Sequence, residues 1–346
     1  MNEEGFFEGT EKLLEVWFSS SLSDGKSDEA RYTEAGGRIA GPDLRRIDRS
    51  LWEDLLKLVH CEIISMKSDK DMDAYVLSES SMFVSKNRFI LKTCGRTSLL
   101  HAVEPLLSLV QSECDMDRVD DLFYSRKKYT RPELQPAVHQ NFNTEMNHLD
   151  SLFDNGAAYA LGRMNADCWY LYTIDNIGVL QPDQTLEVLM QDLDPDVMDI
   201  FSVEHSHSAD EAGRTSGVSQ LMPDMIIDHF LFEPHGYSMN GILPNGQYIT
   251  VHVTPEPHCS YVSFETNVAE ESYRELITKV IKLFKPGKFL LTVFANKDSL
   301  AKNFYKELSR LNCFEAYHRC DHEYCQFKNY NLTFTSYLRP PALPPR

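Results

Sequence analysis

No stretch of the 346-residue sequence approaches the roughly 18 consecutive apolar residues of a membrane-spanning helix, and no hydrophobic signal segment stands at its N-terminus. Positive charge is scarce. The 34 Lys and Arg residues against 52 Asp and Glu leave a formal charge of −18, which disfavours nucleic acid and anionic membrane as partners and favours a small cationic ligand. The eight cysteines, at 61, 94, 114, 168, 259, 313, 320 and 325, form no dense disulfide framework, so the expected setting is the reducing cytosol. A P-loop, a G-x-G-x-x-G turn, a G-x-S-x-G elbow and any short repeat are all lacking, which removes the commonest signatures of phosphate, dinucleotide and serine-hydrolase sites. Hydrophobic residues nevertheless make up 42% of the chain, enough for a sizeable core.

The most unusual stretch is Tyr75 to Gly95, YVLSESSMFVSKNRFILKTCG, apolar enough to be buried yet carrying Glu79, Ser80, Ser81, Lys92 and Cys94. Its pattern predicts a β-hairpin: one strand over 74–84, a turn at Lys86-Asn87, and a second strand over 88–94. Alternation then puts Ile90, Lys92 and Cys94 on one face, an amine and a thiol pointing the same way.

Around it, Phe6 to Phe18 predicts an amphipathic helix with Thr10 as N-cap, and residues 19–43 a mobile polar loop. Helices are expected at 44–59 and 97–110, the latter kinked or ended by Pro105. A hairpin is expected over 156–173, a polar loop over 201–217, and a meander after Met225 with turns at Asn240-Gly241 and Asn245-Gly246. A helix at 272–284, a strand at 289–295, a helix at 300–311 and a strand at 330–337 follow, before a Pro-rich disordered tail from about residue 339. So many hairpins among helices point to an α+β protein of antiparallel sheets with helices packed outside.

Three further groups carry candidate chemistry. A strand at 248–254 puts Tyr248, Thr250, His252 and Thr254 on a polar face, with Glu256 just beyond it, and the turn-rich segment 232–241 brings Ser238 within range. Asp183, Thr185 and Glu187 share a face if that segment is a strand. His318, Cys320, His322 and Cys325 cluster locally, but their spacing is not that of paired C-x2-C ligands, so a surface helix or loop is expected and no metal.

The strings YVLSESSMFVSK and RFILKTCG, with FFEGTEKLLEVWF, GYSMNG and HVTPEP..SYVSFET, strongly resemble the eukaryotic pyruvoyl-dependent S-adenosylmethionine decarboxylase proenzymes, from Phe6 to about Tyr337. The resemblance implies a single domain over 1–338 with a four-layer αββα sandwich of two related halves. It further implies self-cleavage between Glu79 and Ser80 into chains 1–79 and 80–346. In that reading Ser80 becomes the pyruvoyl group that forms a Schiff base with substrate, Ser238 and His252 assist processing, and Cys94 is the proton donor. Phe7 and Phe232 would stack on adenine, Glu256 would hold the ribose, and Glu79 would flank both cleavage and substrate.

The resemblance also implies a putrescine site from Glu15, Lys92, Phe123, Ser125, Asp183, Thr185, Glu187, Glu265, Phe294 and Tyr330. The implied partners are S-adenosylmethionine, putrescine and a second cleaved pair in a homodimer, and the implied role is the supply of decarboxylated S-adenosylmethionine for spermidine and spermine. Two other classes compete: a non-catalytic relative that regulates an active partner by heterodimerisation, which would be expected to lack Ser80, His252 or Cys94, and a serine hydrolase, which would act without chain cleavage. Residues 19–43, 205–213 and 318–325 depart most from the family pattern.

Overall fold

A computed structural model of the chain describes residues 7–21, 31–32, 38–39, 41–174 and 181–340. Most of the polar loop expected over 19–43, and the tail beyond residue 340, lie outside the described residues. What is described of that loop includes a short ribbon pairing Arg31–Tyr32 with Arg38–Ile39.

The first half of the chain builds one antiparallel sheet. Its strands are β1 (Lys12–Ser19), β2 (Ile63–Ser68), β3 (Met72–Leu77), β4 (Ser80–Ser85), β5 (Arg88–Thr93), β6 (Arg118–Lys127), β7 (Gly156–Gly162) and β8 (Cys168–Ile174), side by side as β2-β3-β4-β5-β1-β6-β8-β7. The second half repeats the plan with β9 (Gln184–Gln191), β10 (Ile226–Leu231), β11 (Tyr237–Leu243), β12 (Gln247–Thr254), β13 (Tyr261–Thr266), β14 (Lys288–Asn296), β15 (Cys313–Phe314), β16 (Tyr317–Gln326) and β17 (Tyr330–Leu338). These lie in the order β10-β11-β12-β13-β9-β14-β17-β16-β15. Apart from the added β15, the two orders coincide strand for strand in chain order, so the duplication stands in the topology. The αββα sandwich of two related halves is therefore the architecture.

Helices cover the outer faces. On the first sheet, α1 (Arg49–Leu58), α2 (Val103–Cys114) and α3 (Phe142–Asp150) bury Trp52, Leu106 and Leu149 against Leu14, Val16, Phe89 and Leu91. On the second, after the short α4 (Pro195–Asp199) and α5 (Ala209–Ser216), α6 (Arg274–Phe284) contributes Leu276, Ile277, Val280, Ile281 and Phe284, and α7 (Phe304–Arg310) adds Leu308. The spacing of three and four along α6 gives a single apolar stripe, which decides which side faces the sheet.

Between the sheets lie two apolar patches, one around Trp169, Phe123, Tyr330 and Phe334, the other around Phe83, Ile90 and Tyr248. In strand order the central strands β1 and β5, facing β9 and β13, lie between those patches, and they carry charge.

Several local expectations are corrected. The helix expected from Phe6 to Phe18 does not form among the described residues, 7–18: β1 is a central strand buried on both sides, with Leu14, Val16 and Phe18 toward the helices and Trp17 toward the other sheet. A strand without a solvent face loses its alternation, and its apolar doublets then mimic helical spacing. Residues 74–84 are two strands, because the chain reverses at Ser78-Glu79, where Leu77 pairs with Ser80. Pro105 neither kinks nor ends α2. It sits in the first turn, where no intrahelical N–H is required.

The segment 201–217 contains α5, capped by Ser208, whose hydroxyl accepts the Glu211 N–H, and closed by Gly217 at φ 87°. Ser208-x-x-Glu211 was the legible capping signal. Asn240 and Gly241 lie inside β11 and not in a turn; a side chain at Gly241 would collide with Met225. The 318–325 segment is neither helix nor loop but strand β16, and no metal-ligating group of three or more His, Cys, Asp or Glu forms among the described residues.

Candidate active site

The β3–β4 turn positions the bond between Glu79 and Ser80. Ser80 is buried and has φ 130°, a region that L-residues rarely adopt and that costs about 1–3 kcal/mol, so this peptide is held in strain by the strands on either side. The Glu79 carbonyl oxygen accepts two donors from the end of β5: the Cys94 backbone N–H at 2.9 Å and the Cys94 thiol at 3.3 Å. The Ser80 hydroxyl donates to Glu11 Oε1 at 2.5 Å. A carbonyl polarised by two donors thus neighbours a hydroxyl bound to a carboxylate. Such an arrangement suits attack of that hydroxyl on that carbonyl.

Strands β11 and β12 supply the next layer through their register, which pairs Ser238 with His252 and Asn240 with Thr250. Ser238 Oγ lies 2.8 Å from His252 Nδ1, while Ser81 Oγ and Thr250 Oγ1 lie 3.0 and 2.8 Å from Nε2. Asn240 accepts from Ser81 and Thr250 and donates to the Tyr75 carbonyl. Burial, reinforced by the Lys92 charge and opposed by Glu11 and Glu265, pushes His252 down to about 4, so it is a neutral base at pH 7. For Cys94, burial first and then the nearby Glu79 and Glu11 carboxylates hold the thiol well above its usual range, so it keeps its proton. The base is free and the acid is loaded.

Behind this lies the charged layer. Lys92, fully buried, reaches Glu265 at 2.8 Å, Glu11 at 3.4 Å and Glu187 at 3.9 Å. Arg88 reaches Glu15 at 2.9 Å and Asp183 at 3.8 Å and lies over the Trp17 ring. Burial works against ionisation of Glu11, but the Lys92 charge, helped by the Ser80 hydrogen bond, outweighs it and keeps the carboxyl below the usual range. Burial, with Glu265 and Glu11 adding to it and Lys92 opposing, lifts Glu187 to about 7. Burial likewise raises Glu15, helped by Asp183 and opposed by Arg88.

A small cavity of about 30 Å³ opens beside this layer, lined by Glu15, Phe123, Ser125, Asp183, Thr185, Glu187, Glu265, Phe294 and Tyr330 among others. These are nine of the ten residues expected around putrescine; the tenth, Lys92, touches the group through Glu265 and Glu187. Tyr330 OH donates to Asp183 at 3.1 Å.

A second cavity, about 230 Å³, adjoins the Glu79 turn and is lined by Phe7, Glu8, Glu79, Gly95, Arg96, Leu134 and Gln135. Gly95 is required there: at φ 59° it takes a left-handed conformation, and a Cβ would press on the Glu79 carboxylate and the Phe7 ring. Phe232 and Glu256 are not among the lining residues. Phe232 sits edge-on to Phe230, with ring centroids 4.9 Å apart, and Glu256 Oε1 lies 3.0 Å from His235 Nε2.

Sequence reasoning missed Glu11, Arg88 and Asn240. The first was hidden by the helix reading of β1; alternation along a strand puts Glu11, Leu13 and Glu15 on one face. Nothing in the local pattern marks Arg88 or Asn240.

Comparison with known proteins follows the same lines. A family model described as adenosylmethionine decarboxylase matches residues 4–338. The S-adenosylmethionine decarboxylase proenzyme of Xenopus laevis is 48% identical over 337 residues, 96% of each chain. The proenzyme of Drosophila melanogaster is 49% identical over 351 residues, 97% of this chain and 96% of that one. That of Saccharomyces cerevisiae is 32% identical over 376 residues, 95% and 91% of the two chains. Among solved structures, the Trypanosoma brucei AdoMetDC-delta26 monomer superposes with a TM-score of 0.56 at 25% identity, covering 75% of this chain and 99% of that one.

Proposed function

The chain belongs to the adenosylmethionine decarboxylase family, and from that premise we propose that it is a proenzyme that cuts its own backbone between Glu79 and Ser80 to make a pyruvoyl group. The observation that carries this is the turn itself: a strained Ser80 whose hydroxyl is bound to Glu11 at 2.5 Å, next to a Glu79 carbonyl that two Cys94 donors polarise. Glu11 draws the proton as Ser80 Oγ closes a five-membered ring onto the carbonyl carbon. The Glu79–Ser80 C–N bond breaks, and an ester through Oγ replaces the amide. His252 then takes the Cα proton of residue 80 as general base, with Ser238 at 2.8 Å holding its Nδ1, and the ester is eliminated as the Glu79 carboxylate. The dehydroalanine left at residue 80 tautomerises to an imine, and water displaces its nitrogen as ammonia, which leaves a carbonyl group at the head of the long chain.

Once formed, that group supplies the electron sink that decarboxylation needs. The chain's own residues do the rest. Cys94, protonated and buried, is the donor that returns a proton to the substrate carbon. Phe7 offers a ring face to adenine, worth about 1–3 kcal/mol by analogy with base stacking, and Phe232 and Glu256 complete adenosine binding. The product feeds spermidine and spermine formation, and the working unit is a homodimer of cleaved pairs in the cytosol. No helix among the described residues is long and apolar enough to cross a membrane.

The 30 Å³ cavity is the putrescine site in this reading. Around it, Glu15, Asp183, Glu187 and Glu265 of its lining, with Glu11 on the far side of Lys92, meet two cations among the described residues, Lys92 and Arg88, a formal excess of three negative charges. A diamine relieves most of it, whereas a monoamine leaves two. Putrescine is therefore expected to speed both self-cleavage and turnover. Asp183→Asn should shrink that stimulation. Titrating putrescine while following chain cleavage and CO2 release checks it; no response of the wild type in either removes the assignment.

A further inference from the structure

Gln135 lines the 230 Å³ cavity beside Phe7 and Glu79, and both its amide atoms, Oε1 and Nε2, are buried without a hydrogen-bond partner in the protein. The residue is only 4% exposed. Its backbone, by contrast, is fully engaged: the N–H donates to Pro132 O at 3.1 Å, and the carbonyl accepts Gln140 Nε2 at 3.3 Å. It sits between two short helical turns, Pro132–Leu134 and Ala137–His139, so the side chain is carried on a fixed frame. Glu8, on the same cavity wall, is already committed, its Oε2 accepting the Thr130 and Arg131 N–H groups at 2.9 and 3.1 Å. A buried amide with donor and acceptor both unmatched is costly to keep, and buried polar groups of native proteins nearly always find partners.

The cavity is smaller than the roughly 300–1,000 Å³ that encloses a whole drug-sized ligand, so it takes a fragment of the substrate. A ring face from Phe7 together with a paired donor and acceptor from Gln135 matches one fragment of S-adenosylmethionine. Adenine is flat, and one edge carries its 6-amino donor next to a ring-nitrogen acceptor. An amide side chain reads that edge with two hydrogen bonds, as glutamine does on adenine in DNA.

Taking the substrate assignment above as its premise, we propose that Gln135 is a specificity-determining residue of the decarboxylase, its amide oxygen accepting from the adenine 6-amino group and its NH2 donating to the adjacent ring nitrogen. The inosyl analogue of the substrate presents an oxygen at position 6. On the edge that glutamine reads, the 6-amino group with N7, that analogue offers two acceptors, O6 and N7, so the amide must set its oxygen against one of them whichever way it is turned.

The test compares S-adenosylmethionine with its inosyl analogue on cleaved wild type and on Gln135→Leu, which keeps the volume and removes both polar groups. Wild type is expected to prefer the adenosyl substrate by roughly 10- to 100-fold in kcat/KM. In Gln135→Leu that preference should collapse through a higher KM for S-adenosylmethionine with kcat little changed, and self-cleavage should be normal. Should Gln135→Leu fail to cleave, Gln135→Met gives the same readout, removing both polar groups at similar length, with the same collapse of preference expected. A wild type that cleaves and turns over, with a variant whose KM and adenosyl preference are unaltered, overturns the role of Gln135 alone. A wild type that does not cleave overturns the reading on which it rests.

Discussion

Ser80→Ala is expected to leave the protein as one full-length chain with no decarboxylase turnover, because the substitution removes the hydroxyl that attacks the Glu79 carbonyl. The effect is complete loss, since without Oγ there is neither an ester nor a carbonyl group to come from it. The fold should survive. Ser80 makes one side-chain hydrogen bond, to Glu11, and Lys92 at 3.4 Å still balances that carboxylate when the hydroxyl is gone. Stability measured by thermal unfolding therefore separates a dead active site from a broken protein. A Ser80→Ala chain that splits at the wild-type rate would place the nucleophile elsewhere.

His252→Ala should act one step later. The acyl shift needs Ser80 and Glu11, but elimination of the ester needs a base for the Cα proton, a contribution usually of about 10²- to 10⁴-fold. The variant is expected to accumulate uncleaved chain that hydroxylamine splits at position 80, because that reagent attacks esters far faster than amides. Uncleaved chain that resists hydroxylamine would mean that His252 serves the earlier step.

The pH dependence has a defined sign. Burial, with Lys92, places His252 at about 4 in the folded protein, below the roughly 6.5 of an exposed histidine. Cleavage should hold steady from pH 7 to about 5 and fail as pH drops through 4, with no break near 6.5. For stability, the unfolded chain takes up this proton first, so the His252 contribution is present above about 6.5 and is lost as pH falls toward 4. Cleavage rates across pH 4 to 8 check the first statement and denaturant unfolding the second.

How legible all this was depended on which faces of each strand are buried. Strand β12 alternates cleanly, Ile249, Val251 and Val253 toward the helices and Thr250 and His252 toward the other sheet, so its polar face could be drawn from sequence. Strand β5 gave Lys92 in the same way. Strand β1 did not, because a central strand packed on both sides shows no polar side, and Glu11, the partner of Ser80, was lost with it. The reversal at Ser78-Glu79 was invisible for a different reason: no glycine, proline or asparagine marks it, and Ser80 takes its positive φ without being a residue that prefers one. A turn built against local preference is expected where function demands it. The gathering of Arg88, Glu15 and Asp183 from β5, β1 and the start of β9 is a tertiary event that no local window contains.

The most direct test is the intact mass of the freshly purified, denatured wild type. Two chains are expected, residues 1–79 and a 267-residue chain beginning at position 80 and ending at 346, the second lacking a free α-amino group and carrying a carbonyl that a hydrazine labels. A single unlabelled mass for all 346 residues, unchanged on incubation with putrescine, would contradict the self-cleavage on which everything else rests.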